Sequence, residues 1–155
     1  MKGIIEENIL RLRGKLDDAA MYLGPSATSA DIIALTNAVS VEFSASLPAE
    51  YLDFLRAFDG LVACGVFIYA SRSRVMPGGD TLIPNLVEMN YFSRDVDFMS
   101  DFLVLGDSDQ EEYVLELKRG VYQVRDRQAF DNVNEEFDSL DGILALVIDL
   151  IDQRS

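Results

Sequence analysis

At Asp59-Gly60 the chain changes its apolar period, and this change does most to limit what it can fold into. Before it, "LPAEYLDFLRAFDG" reads as a helix with Ser46 as a candidate N-cap, Pro48 in the first turn and Glu50 at the positive end of the dipole. Tyr51, Leu52, Leu55 and Phe58 form its inner face, while Asp53, Arg56 and Asp59 lie outside. Gly60 is free to take a left-handed cap. After it, "LVACGVFIYA" is rich in β-branched and aromatic residues and reads as a strand. A helix turning at once into a strand needs a sheet for the helix to lie on.

The flanking segments extend this pattern. Ile5, Ile9, Leu12, Leu16 and Leu23 make one apolar stripe on a helix over residues 4–23, which Gly24-Pro25 ends. A second helix starts at Ser29, with Ile32, Ile33, Leu35 and Val39 buried. "SRSRVMPGGDTLIP" is irregular, and a short helix follows near Asn85 with Leu86, Met89 and Tyr91 or Phe92 inward. Three strands come next: "DFLVLGD", "EYVLEL" with Tyr113, Leu115 and Leu117 on one side, and "VYQVRD" across a tight Arg119-Gly120 turn. A strongly apolar helix, "SLDGILALVIDLIDQ", closes the chain. No repeat or linker divides it, so residues 1–155 read as a single α+β domain.

Charge narrows the partners. The chain carries 27 acidic and 13 basic residues, for a net charge of −14. Residues 101–155 hold 14 acids against 5 bases. Such a surface repels phosphate backbones and anionic lipids, so neither nucleic acid nor membrane is expected as a partner; a basic protein partner is compatible with it, and so is a charge that only keeps the domain soluble, the commoner case among acidic proteins. "MKGIIEENILRLRG" lacks the apolar core of a signal peptide and no apolar run is long enough to span a bilayer, which leads to the expectation of a cytoplasmic protein. Cys64, the single cysteine, reads as a small core residue in a reducing compartment.

Little in the sequence promises chemistry. With no histidine and one cysteine, Ser–His–Asp and Cys–His catalytic sets and Cys/His zinc sites are excluded. No glycine-rich phosphate loop is present. "GDSDQEE" spaces Asp107, Asp109 and Glu111 like the start of a calcium loop, but Glu112 stands where the loop needs glycine and Lys118 where it needs a bidentate Glu. A solvated hairpin turn is expected there, with no metal, no cofactor and no enzymatic activity. A second acidic cluster comprises Asp131, Glu135, Glu136, Asp138 and Asp141. Asp138, Ser139 and Asp141 suit the N-terminus of the last helix. Asp131, Glu135 and Glu136 remain as crowded like charges that a basic partner would relieve.

These features together resemble the SUKH superfamily, which includes yeast cell-wall synthesis regulators and many bacterial proteins. Its signature is a Leu-Pro, an aromatic residue, an apolar pair and an Asn-Gly; here Leu47, Pro48, Tyr51, Phe54, Leu55 and Gly60 match, and Asp59 replaces Asn. Phe102 and Gly106 resemble the family's strand before a hairpin, and Phe137, Ser139 and Leu144 its terminal helix. The resemblance covers about residues 30–151, with 4–23 as a helical extension, and the Trp often found after the Asn-Gly is missing. It implies an α+β fold, a central mixed or antiparallel sheet flanked by helices. It implies no catalytic residues. It implies an immunity protein that neutralises a polymorphic or contact-dependent toxin, often a nuclease or deaminase, or else a regulatory scaffold for an endogenous partner. The expected interface is a concave acidic surface of Asp53, Asp59, Asp107, Asp109, Glu111, Asp126, Asp131, Glu135 and Glu136, carried on a framework of Leu47, Pro48, Tyr51, Leu55, Phe58, Gly60 and Gly106. Tyr91, Phe92, Phe98 and Met99 either form an exposed patch for a homodimer or belong to the core.

Overall fold

The strands are short and strongly apolar in the centre of the chain, so they need cover, and the helices supply it. The computed structural model describes residues 1–17, 20–79 and 81–155. In chain order the elements are α1 (Gly3–Lys15), β1 (Met21–Leu23), α2 (Ser29–Phe43), α3 (Ala49–Ala57), β2 (Leu61–Ala63), β3 (Val66–Ile68), β4 (Arg74–Val75), β5 (Leu82–Ile83), α4 (Leu86–Ser93), a 3-10 turn (Asp97–Asp101), β6 (Phe102–Asp107), β7 (Glu111–Glu116), β8 (Val121–Asp126), β9 (Val133–Phe137) and α5 (Leu140–Arg154). Among the described residues seven strands form one antiparallel sheet in the order β1-β2-β3-β6-β7-β8-β9, and β4 and β5 pair separately. One hydrophobic core takes residues from all five helices and the sheet, so this is a single α+β domain.

The residues of the Leu47–Gly60 segment hold the centre. Tyr51, Phe54 and Leu55 have no solvent exposure, and the Tyr51 hydroxyl donates to the Tyr69 carbonyl at the end of β3. Phe54 belongs to the inner face with Tyr51 and Leu55, whereas Leu52 is only half-buried. Pro48 itself is the N-cap of α3, so Ser46 plays no capping role. Leu47 packs half-buried against the core and Phe58 forms the C-cap. Gly60 adopts φ 97°, the left-handed turn expected of it. Gly106 lies so close to β3 that a Cβ there would stand 2.2 Å from the Phe67 carbonyl oxygen.

Several expectations are corrected. The first helix ends at Lys15; Leu23 belongs to the edge strand β1, and Gly24 serves packing, not helix termination, since its Cβ would stand 2.0 Å from the Asp59 carbonyl. "LVACGVFIYA" is a hairpin: Cys64 (φ 51°) and Gly65 (φ 76°) both take positive φ, the two-residue turn that suits twisted strands. Cys64 therefore sits half-buried at a turn, not in the core. Thr28, not Ser29, caps α2 through a reciprocal pair of bonds with Asp31, and Ile33 points to solvent. In α4 neither Tyr91 nor Phe92 turns inward; Asn90 does. Its side-chain amide donates to the Val104 carbonyl (2.8 Å) and accepts from the Val104 amide (2.8 Å), filling in backbone pairing beside the bulge between Val104 and Gly106. Met99 is buried while Tyr91, Phe92 and Phe98 are exposed. Strand β9, read in sequence only as an acidic approach to the last helix, pairs with β8.

Gly24→Ala and Gly106→Ala should each lower stability by about 1–3 kcal/mol, because backbone atoms block the new methyl. Gly14→Ala, in open space on α1, should raise it by about 0.5–1 kcal/mol. Urea denaturation of the three variants checks both signs.

Candidate partner interface

Helix α5 buries one apolar stripe and turns a mixed flank to β9. Leu140, Ile143, Leu144, Val147, Ile148 and Ile151 are buried in the core. Gly142, Leu146, Asp149 and Gln153 follow each other at helical spacing on its flank, with Ala145 and Leu150 beside them. This flank faces β9, and the gap between them is a groove of about 470 Å³. Phe137, Ala145, Leu146 and Leu150 give it an apolar lining, and Glu111, Glu135 and Asp149 are its carboxylates. The register explains the arrangement. Phe137 shares a row with Tyr122, Leu115 and Leu103, so Phe137 and Glu135, two residues apart, stand on the same face of the sheet. Glu136 stands on the other face, with Gln123 and Val114.

The helix start beside the groove is organised by a long-range contact. Ser139 occupies the N-cap position without a side-chain bond, and the Leu140 amide instead donates to Glu50 of α3 (2.9 Å). Glu50 thereby serves the dipole of α5 as well as sitting in the first turn of α3.

The nine expected interface residues separate into groups. Glu111 and Glu135 come together in the groove, and Glu111 accepts from Asn134 of β9 (3.0 Å). Asp109 and Asp126 line a neighbouring hollow of about 230 Å³ with Gln110 and Gln128. Asp109 is held by Arg154 (2.6 Å), a bond that keeps its carboxyl below the ordinary range. Asp126 accepts from the Gln128 and Ala129 amides and so shapes a turn. Glu136 is exposed but engaged by Gln123 (2.7 Å) and Arg119 (3.0 Å), which hold its carboxyl below the ordinary range. Asp131 is exposed in the loop before β9. Asp53 lies on α3, exposed, and pairs with Arg56 one turn away.

Asp59 and Asp107 are corrections, since both are buried. Asp59 has no solvent exposure: its carboxylate accepts from the Ser71 amide (2.7 Å), the Ser71 hydroxyl (2.7 Å) and Arg74 Nε (2.7 Å). Arg74 also reaches Asp31 (3.5 Å), which Arg72 contacts at 3.1 Å. Asp107 accepts from the Tyr69 hydroxyl and lies 3.6 Å from Arg127. Burial, with Asp107 beside it, pushes the Tyr69 phenol well above its ordinary value. Burial likewise raises the carboxyl of Glu112, paired with Asp107 across the strands. The calcium-loop spacing is thus dispersed among three different partners: Asp107 to Tyr69, Asp109 to Arg154 and Glu111 to Asn134. Among the described residues no group of three or more acidic or cysteine side chains is placed to hold a metal ion.

Sequence reading missed Asp149 and the apolar lining. The signal was present as Leu146 and Leu150, one turn apart and offset from the core stripe, but an almost uniformly apolar helix hides which stripe meets the sheet. Among the described residues no helix is long and apolar enough to cross a membrane. Compared with known proteins, the chain matches no family model and no curated sequence.

Asp59→Ala should cost about 3–5 kcal/mol, since it leaves the mostly buried guanidinium of Arg74 with only its longer contact to Asp31 and takes the acceptor from the buried Ser71 amide and hydroxyl, whereas Asp53→Ala should cost less than about 0.5 kcal/mol. Chemical denaturation separates the two. A pH dependence follows from Asp31, whose carboxyl is held below its ordinary value first by the Thr28 amide, against the opposing effect of burial. A depressed folded-state value stabilises above the unfolded value and loses that stabilisation as pH falls through it. The stability advantage of the wild type over Asp31→Asn should therefore be full near neutrality and shrink below about pH 4.

Proposed function

We propose that this chain is a non-enzymatic, protein-binding module of SUKH type, an immunity protein that works in the cytoplasm by binding and blocking a basic toxin. The groove between α5 and β9 carries this reading. It combines an apolar lining with three carboxylates, and neither Glu135 nor Asp149 forms an ion pair among the described residues. Apolar area of this kind supplies affinity when an anchoring side chain fills it. Carboxylates around it attract a cationic partner, raise its association rate and reject anionic competitors. The net charge of −14 extends the same steering field over the whole molecule. The order of elements supports the family resemblance: a buried Tyr51–Leu55 helix, a left-handed Gly60 turn, an antiparallel sheet and a closing apolar helix.

The test is affinity capture from the native lysate with wild type and a Glu135→Lys/Asp149→Lys variant. Both residues are exposed, so the variant should keep its stability within about 1 kcal/mol. The wild type should retain one basic protein, lost in the variant and weakened at high salt. A partner retained equally by both proteins would remove the groove from the interface.

A further inference from the structure

Resting on the reading of the groove as the partner site, we infer that the partner enters it as an extended strand that pairs with the free edge of β9 and makes the sheet eight-stranded. The occupant is a segment of a basic protein whose inward face carries a Lys or Arg and a large apolar residue at alternate positions.

The sheet has two terminal strands, and they are treated differently. β1 is three residues long, and Met21 and Tyr22 are buried. β9 is five residues long, and its first four residues are exposed. β8 takes one edge of β9; the other makes no backbone hydrogen bond to any described residue outside the ladder. A free edge offers amide and carbonyl groups to another chain.

The side chains say which chain. A second copy is discouraged, because β9 would set Glu135 and Glu136 of one molecule near those of the other, and both molecules are strongly acidic. A basic strand reverses that sign. Glu136 is already engaged by Arg119 and Gln123, which leaves Glu135 as the carboxylate available on the groove side. Strands in a sheet lie about 4.8 Å apart and alternate their side chains between faces. A strand added beside β9 therefore directs every second side chain to the face of the sheet on which the groove lies. One position falls next to Glu135 and suits a cation; the one two residues along falls next to Phe137, within reach of Leu146 and Leu150, and suits an apolar group. Asp149 lies across the groove on α5 and adds to the attraction for the cation.

The test uses synthetic peptides with Lys and Leu alternating on one face and Thr on the other, in three forms: unmodified, N-methylated on the amides of one alternate set, and N-methylated on the other set. Binding is followed by amide shifts of the full chain at up to millimolar peptide. The unmodified peptide and one methylated form should bind, with shifts along Val133–Phe137 and at Leu146 and Asp149, and the second methylated form should be weaker by about tenfold or more, since it loses the inter-strand bonds. Glu135→Lys should weaken the two that bind. Equal binding by both methylated forms would overturn strand addition and leave the acidic groove standing as a site. No binding by any form would also overturn strand addition; capture of a basic partner that the Glu135→Lys/Asp149→Lys variant loses would then show that the groove reading survives without it.

Discussion

The carboxylate of Asp59 is shut away from the solvent surface, and much of this fold is arranged to bind it there. Ser71 and Arg74 bind its oxygens from the segment that follows β3, while the Asp59 amide lies within reach of the Gly24 and Pro25 carbonyls. One residue thus ties the end of α3 to the chain leaving β1 and to the chain entering β4. The close approach of Gly24 and the left-handed turn at Gly60 are both conditions of that placement. A buried charge without such partners would be strongly destabilising, so the corner is held in one arrangement. Arg74 carries the link onward to Asp31 in the first turn of α2.

From this corner the rest of the molecule is positioned at a distance. Tyr51 on α3 reaches the carbonyl of Tyr69, and Tyr69 reaches Asp107 at the end of β6. Glu50, also on α3, fixes the first amide of α5. Helix α3 therefore orients both the sheet and the helix whose flank forms the groove. The far end of α5 is tethered by Arg154, which bonds the Cys64 carbonyl in the β2–β3 turn and Asp109 in the β6–β7 turn. Lys15 of α1 adds a contact to Asp152. The groove is thus framed by residues of a helix and two strands rather than by loops.

Charge acts in two ways in this protein. Asp59 and Asp107 are structural because each is enclosed by donors. Glu135 and Asp149 face water beside apolar side chains, where their cost is small and their field extends outward. In sequence Asp59 and Asp107 group with Glu135, because the identity of an acidic residue carries no information about its burial. An aspartate at a helix end looks the same whether it meets solvent or an arginine fifteen residues later, and nothing local to Asp59 announces Arg74.

What the sequence determined by itself was the succession of elements wherever local period and stop signals agree: the helix before Gly60, the β6–β7–β8 strands, the helix begun by Asn85 and the terminal helix. These depend on residues close together in the chain. The tertiary structure alone decided the rest. β9 has an acidic, non-alternating sequence and becomes a strand because β8 offers it a ladder. Cys64-Gly65 turns because β2 and β3 must both cross the same sheet. Asn90 enters the core because Val104 leaves backbone groups beside a bulge that it can bond. The groove exists because the flank of α5 that carries Leu146 and Leu150 meets β9 at the rim of the core. Each of these follows from contacts between residues far apart in sequence, and such contacts leave no period to read.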